Sequence, residues 1–582
     1  MKTHRPSSIR LVVYTALVLF ISQHAALAQN GGKDHAAKIQ EALALANKYQ
    51  QFNGAVLVAE NGKVIYKGAF GMANMEWGIP NAPDTRFRLG SITKQFTAML
   101  TLQLVEQGKI KLDGKITDYL PDYRKDTGDR VTIHHLLTHT SGIPSYTGLP
   151  GFFENVSRNP YKVAEFVKKY TSGDLEFEPG SKFSYNNSGY FLLGAIIERV
   201  TGKTYEQALK DSILDPAGMK NTGYDHHNTL IAKRASGYIK TSDGYTNAGY
   251  LDMSIPYAAG SMYSTVEDLY LWDQILYTEK LLSAQSKALM YKPFLSNYAY
   301  GWAVTNASFK QNDQPVQIIR HDGGINGFST VIVRFPAQKN LIVVLDNTSQ
   351  DAGRTGELLT KIIFDQPYEP PKMSIVSILE KTITDKGIEA GIAQYRDLKA
   401  KQAATYDFAE QELNTLGYRL LRTGKTKEAV EIFKLNVETY PQAANTYDSL
   451  AEAYVNLKQN ELAITNYKKS IELNPKNTNA IEALKKLENP TPAVTVDAKV
   501  FDAYVGDYEL APGFILTVSR EGDKFMTQAT GQPKIEIFAE SETTFSPRTF
   551  PAKLTFVKDA DGKVTSVLLN QGGREINGKK IK

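Results

Sequence analysis

The chain has 582 residues, 42% of them hydrophobic, and no cysteine. That length suggests about three or four domains with ample core, and the missing cysteines exclude disulfides and thiol chemistry. The formal charge is +5, of which Lys2, Arg5 and Arg10 in an acid-free leader supply three units, so the remainder is near balance and gives no basis for nucleic-acid binding.

Residues 1–28 read as an export signal. The three cations precede an apolar run, Leu11–Ile21, too short to serve as a mature membrane anchor, and Ala26-Leu27-Ala28 is a small-x-small cleavage pattern with a mature start near Gln29. No cysteine follows to carry a lipid, so an exported protein, periplasmic or secreted and without a stable anchor after cleavage, is expected. Ile39, Leu43, Leu45 and Tyr49 mark an amphipathic helix. Gly54–Ala59 reads as a strand, Asn61-Gly62 as a hairpin turn and Val64–Tyr66 as the returning strand.

Gly90 permits a tight entry into a helix that starts at Ser91 and runs to a C-cap at Gly108. Phe96, Met99, Leu100, Leu102 and Leu104 make it apolar nearly all round, so it lies inside a domain. The spacing Ser91-x-x-Lys94 puts both side chains on one face. Burial lowers a lysine pKa because the charged form loses hydration. A neutral lysine takes the serine proton, and a charged one stabilises the alkoxide. On its own the pair also fits a capping serine followed by a solvated lysine.

Thr132–Thr138 reads as a short helix that sets His135 and His139 four apart. The intervening Glu of helical zinc hydrolases is missing, so both read as packing or capping residues rather than metal ligands. Phe177–Gly180 turns into a polar stretch holding Tyr185 and Asn187, ahead of a helix from about Phe191 to Val200, a place suited to chemistry. Ser264-Thr265-Val266-Glu267 is a capping box opening a helix to about Tyr277. His321-Asp322-Gly323-Gly324 precedes strands at Ser329–Phe335 and Leu341–Leu345, and its glycines admit the close approach of a substrate.

Pro367–Pro371 reads as a linker closing a domain over 29–366. In the helical region 372–489 a period of 34 pairs Leu416 with Leu450, Gly417 with Ala451, Ala429 with Ala463, Phe433 with Tyr467 and Pro441 with Pro475. That is the spacing of tetratricopeptide helix pairs, clearest over 412–488, and Ser374–Gln411 reads as a helical, divergent first repeat. Two clear repeats favour a spacer; as a peptide groove they would give the chain a protein partner. Asn489-Pro490-Thr491-Pro492 reads as a second linker. Residues 497–582 form a small β-rich domain, an antiparallel sheet or barrel beginning at Tyr504–Tyr508, with no catalytic constellation.

In order, Ser91-x-x-Lys94, Tyr185-x-Asn187 and His321-x-Gly323 resemble the motifs of the serine β-lactamase and penicillin-binding-protein superfamily, nearest its class C β-lactamase-like branch. His135–Gly142, Phe177-x-Pro179-Gly180 and Asp215-Pro216-x-Gly218-Met219 extend the likeness over about residues 35–365. The resemblance implies an α/β domain with an antiparallel sheet flanked by helices. It implies Ser91 as the nucleophile of an acyl-enzyme, Lys94 as its activator, and Tyr185 as proton shuttle and, as phenolate, base. It implies Asn187 as partner of the substrate amide, the N–H groups of Ser91 and Gly324 as oxyanion hole, and His321 and Gly323 beside the substrate. A tyrosine pKa near 10 must fall for the phenolate role, and Lys94 is the cation at hand.

One departure bears on substrate. β-Lactamases of this branch carry Lys-Thr-Gly where this chain has His321-Asp322-Gly323, and a histidine is charged only part of the time near neutrality. The sequence therefore points to a serine hydrolase acting on an ester or amide bond of a small molecule or peptide, esterase-like or D-amino-peptidase-like. A true β-lactamase and a non-catalytic peptidoglycan- or partner-binding module are the alternatives. No cofactor or metal is implied, and loops around 140–160 and 220–260 are expected to set the substrate.

Overall fold

The computed structural model describes residues 34–582 apart from 242–243, 312, 489–495, 549 and 572–573. The export signal and the Asn489-Pro490-Thr491-Pro492 linker lie outside the described residues. The chain divides into two compact units at Pro370. Among the described residues no helix is long and apolar enough to cross a membrane.

A six-stranded sheet organises the first unit, in the spatial order Ala303–Gln311, Gln314–Ile325, Phe328–Phe335, Asn340–Asp346, Gly54–Glu60 and Lys63–Phe70. Every neighbouring pair is antiparallel. The two strands Gly54–Glu60 and Asn340–Asp346 are buried almost throughout, as continuous apolar runs must be in a sheet covered on both faces. Their alternation splits the core. Ala55, Leu57, Val343 and Leu345 pack with the layer containing Thr93–Glu106 and Asn187–Thr201. Val56, Val58, Ile342 and Val344 pack with the helix over 34–48 and with Ala352–Ile363.

Several helix starts differ from expectation, each for a local reason. Ser91 lies on a 3-10 turn, Gly90–Ile92, and the α-helix begins at Thr93. Gly90 takes φ +55°, and a Cβ there would sit 2.9–3.0 Å from the Gly324 backbone, so the turn is pressed against the sheet. The helix expected from Phe191 begins at Asn187, because Asn186 caps it by accepting the Gly189 N–H at 2.8 Å. Thr265 rather than Ser264 caps Val266–Leu276, since Ser264 still belongs to the strand Met262–Ser264, and Glu267 pairs with Lys67 instead of closing a box. The short helix spans Ile133–Leu137, capped by Thr132.

The second unit begins with helices Val376–Lys386 and Ile388–Lys401, broken at Gly387, whose φ is +88°. Residues 402–409 leave the helix for a short parallel pairing of Tyr406–Asp407 with Met373–Ser374, so Ser374–Gln411 is not one helical stretch. The helices Glu410–Arg422, Thr426–Thr439, Ala444–Asn456, Asn460–Leu473 and Thr478–Glu488 follow, and their period-34 positions Leu416, Leu450, Ala429, Ala463 and Phe433 share one core. The last domain is a closed barrel of eight strands from Gly506–Ala511 to Arg574–Lys580, its first strand starting two residues after Tyr504. Closure leaves no sheet edge unpaired.

Candidate active site

The 3-10 turn presents Ser91, and the following α-helical turn brings Lys94 beneath it. Lys94 is 0% exposed, and burial holds its pKa well below the ordinary lysine value. Its Nζ lies 3.0 Å from Ser91 Oγ, 2.8 Å from Asn187 Oδ1 and 2.9 Å from the Ala259 carbonyl oxygen. This set suits a neutral amine. An ammonium donates to all three oxygens; in the neutral form that burial favours, two N–H bonds go to the Asn187 and Ala259 oxygens, which only accept, and the lone pair is left for the Ser91 hydroxyl proton. Asn187 is oriented in turn by Ser145 Oγ, which accepts its backbone N–H at 3.2 Å, and by Thr147 Oγ1, which accepts from Nδ2 at 3.1 Å. One of the two Asn187 amide N–H donors thus has a partner within the protein, and the side chain still lines the cavity.

Tyr185 precedes the Asn186 cap, and its ring lies 4.8 Å from Lys94 Nζ. The residue is 40% exposed, and partial loss of hydration raises its pKa above the ordinary tyrosine value, opposed by a hydrogen bond to Ser91. The resting environment therefore favours the protonated phenol while Lys94 is neutral. His139, with φ +57°, packs its ring 4.3 Å from that of Tyr185 and accepts the Asn186 N–H at Nδ1, 3.0 Å away. His135 instead accepts the Thr132 N–H at Nδ1 in the short helix's cap. The two histidines four apart therefore serve separate local structures.

Along the strand Gln314–Ile325 side chains alternate, so His321 points inward and Asp322 outward to Arg320, 2.7 Å away. His321 Nδ1 must carry its proton, because it donates to the Asp322 carbonyl at 2.7 Å, and Nε2 accepts from the Tyr298 hydroxyl at 2.8 Å. Burial and the proximity of Lys94 bring its pKa down to about 3. The expected part-time charge is thus replaced by a neutral ring, because the sequence does not reveal that this position is buried. Gly323 admits the close crossing of two backbones: a Cβ there would lie 2.0 Å from the Leu89 carbonyl oxygen. Gly324 lies against Gly90 and hence beside the Ser91 turn.

The family model described as Beta-lactamase matches residues 35–363, more than half the chain and all three motifs. The chain belongs to the beta-lactamase family. It is 33% identical over 347 residues to penicillin-binding protein 4* of Bacillus subtilis, covering 55% of this chain and 74% of the relative. It is 31% identical over 313 residues to a putative penicillin-binding protein, PbpX, of the same organism, covering 53% and 74%. The crystal structure of a penicillin binding protein from Bacillus halodurans superimposes with TM-score 0.50 at 28% identity, covering 55% of this chain and 98% of that one. A tetratricopeptide-repeat model matches 444–477, and a domain of unknown function, DUF3471, matches 490–580. This beta-lactamase-family chain is an enzyme of the serine hydrolase class.

In this beta-lactamase-family enzyme Ser91, Asn187 and Gly324 open onto a cavity of about 710 Å³. Its other walls come from Tyr146–Arg158, from Gly249–Gly260 and from Asn326–Ser329, and are rich in aromatic and apolar groups. Both loops expected to set the substrate contribute to this lining. Ser145 and Thr147, which hold Asn187, stand in one of those loops, but nothing in their spacing marks them. The Ala259 carbonyl that receives Lys94 carries no side-chain signal at all, and Tyr298 becomes recognisable only once His321 is seen beside it.

Proposed function

We propose that this chain cleaves an ester or an amide, including D-amino peptides, through an acyl-enzyme on Ser91. The observation that carries the reading is the fully buried Lys94 with its Nζ 3.0 Å from the Ser91 hydroxyl oxygen, the place from which a neutral amine takes that proton. In acylation the Ser91 proton passes to Lys94 Nζ as Oγ bonds to the substrate carbonyl carbon. The carbonyl oxygen takes the negative charge and is held by the N–H groups of Ser91 and Gly324, each such donor being worth about 3 kcal/mol. As the intermediate collapses, Tyr185 gives its phenolic proton to the leaving group and is reprotonated by the Lys94 ammonium. Water repeats the cycle on the acyl-enzyme. The names of the penicillin-binding relatives support a peptide-like amide. The neutral His321 supports this over a β-lactam, because no cation stands at the third motif itself, where β-lactamases of this branch keep a lysine.

The test is hydrolysis of a short-chain p-nitrophenyl ester by wild type, Ser91→Ala and Lys94→Met. Ser91→Ala is expected to fall to background and Lys94→Met by about 10²–10⁴-fold. In the wild type, kcat/KM should decline as pH falls, through a group titrating below the ordinary lysine value. Equal rates in wild type and Ser91→Ala would remove Ser91 from the mechanism.

A further inference from the structure

The charge inventory of the active-site cavity is lopsided. Among its described lining residues there is no acid and one cation, Arg158. His321, at the position where the family's β-lactamases keep a lysine, is neutral. Arg158 is exposed and makes no ion pair or side-chain hydrogen bond with the described residues. Glu154 and Asp252, acids nearby in the chain or through hydrogen bonds, lie outside the lining, and the Asp252 oxygens already accept from Ser254 and Tyr250.

The backbone carrying this guanidinium is fixed. Ser157, 1% exposed, donates its N–H to the Phe152 carbonyl at 2.9 Å and its hydroxyl to the Phe153 carbonyl at 2.7 Å, and its own carbonyl accepts the Asp252 N–H at 2.9 Å. An unpaired guanidinium carried on a held backbone beside an apolar cavity offers its planar fork to a planar oxyanion. Phe153 and Tyr250 line the same cavity and remain exposed, leaving aromatic surface for a ligand to cover.

We infer that Arg158 is a specificity residue that receives a carboxylate carried by the substrate away from the bond attacked by Ser91, on a body apolar enough to lie along Phe153 and Tyr250. This assignment rests on the proposed reading of the site as the substrate cavity of a serine hydrolase. It moves the source of anion recognition from the third motif, where His321 is uncharged, to the loop following Thr147.

The test compares two p-nitrophenyl esters of phenylbutanoic acid, one with a para-carboxylate on the ring and one with a para-carboxamide. Their binding to intact Ser91→Ala protein is measured by calorimetry, without turnover. The carboxylate ester should bind about ten- to hundredfold tighter, the range of a hydrogen bond to a charged group. The preference should shrink with added salt, fall to about one in Ser91→Ala/Arg158→Gln, and return in part in Ser91→Ala/Arg158→Lys. Equal binding of the two esters, or a preference that survives Arg158→Gln, overturns the assignment. Turnover by protein with Ser91 intact is scored separately. A binding preference without Ser91-dependent turnover would sink the hydrolase reading while leaving the anion assignment standing.

Discussion

The two units of this chain solve burial in opposite ways. The first buries Lys94, Arg334, His35, His139, His321 and the aspartates at 225, 268, 273 and 346. Among the described residues the second buries no Lys, Arg, His, Asp or Glu; its buried polar side chains are Asn414, Asn436, Thr446, Ser449, Ser470 and Thr527. Asparagine and hydroxyl groups lose little when dehydrated if they find one partner each, whereas an ionised group needs a full countercharge or loses its charge. The second unit rests on apolar packing. The first carries charge inside because its fold must hold ionisable groups in fixed places, at the site and in the supports around it.

Arg334 breaks this comparison most sharply. It donates from Nε to Asp273 at 2.6 Å and from Nη1 to Tyr291 at 2.9 Å, among the rings of Tyr277 and Trp302. Arg334→Met leaves Asp273 buried without its cation and is expected to cost about 3–5 kcal/mol, with Arg334→Met/Asp273→Leu recovering most of it. Urea unfolding followed separately for each unit checks this: a loss of comparable size in the second unit would defeat the contrast.

Acid sharpens it. Burial holds His139 and His321 below the ordinary histidine value, His321 at about 3. Below about pH 6.5 the unfolded chain takes up these protons and the folded chain does not. The first unit therefore loses stability as pH falls, by up to about 1.4 kcal/mol per pH unit for each of the two. His134 and His135 act in the same sense. His35, raised despite burial by hydrogen bonds to Asp365 and Glu60, and Asp346, raised to about 6 by burial, act in the opposite sense. Calorimetric scans at pH 7 and pH 5 should show the first unit's transition falling further than the second's.

The smallest expected effect lies in the second unit. A Cβ on Gly417 would stand 2.4 Å from the Phe433 ring. Gly417→Ala should cost that unit about 1–3 kcal/mol through overpacking and leave ester hydrolysis unchanged; a parallel loss of hydrolysis would mean that the units are not energetically separate.

The three motifs were legible in the sequence because each is written in side-chain chemistry at fixed spacing, and the repeats because Leu416, Gly417, Ala429 and Phe433 recur in register. The domain's sheet was legible from the apolar run at Gly54–Ala59. What the sequence did not disclose depends on tertiary enclosure. His321 and Tyr185 have ordinary pKa values until neighbours remove their water, and the Ala259 carbonyl has no residue-level signature. The α-helix starts two residues after Ser91 because Gly90 must clear Gly324, more than two hundred residues away in sequence. Such contacts lie beyond any local pattern.

The sheet register also governs when this molecule can fold. Gly54 pairs with Asp346 and Ala59 with Leu341, so one of the innermost strands finds its neighbour only after nearly the whole first unit has been synthesised. Until then Gly54–Glu60 has only its hairpin partner Lys63–Phe70, and a two-stranded hairpin is marginal in water. Chain closure of such span makes for slow, late assembly with an apolar strand left open in the interim. A nascent chain that stops short of Asp346 holds Ser91 and Lys94 but lacks the completed sheet against which their turn is pressed.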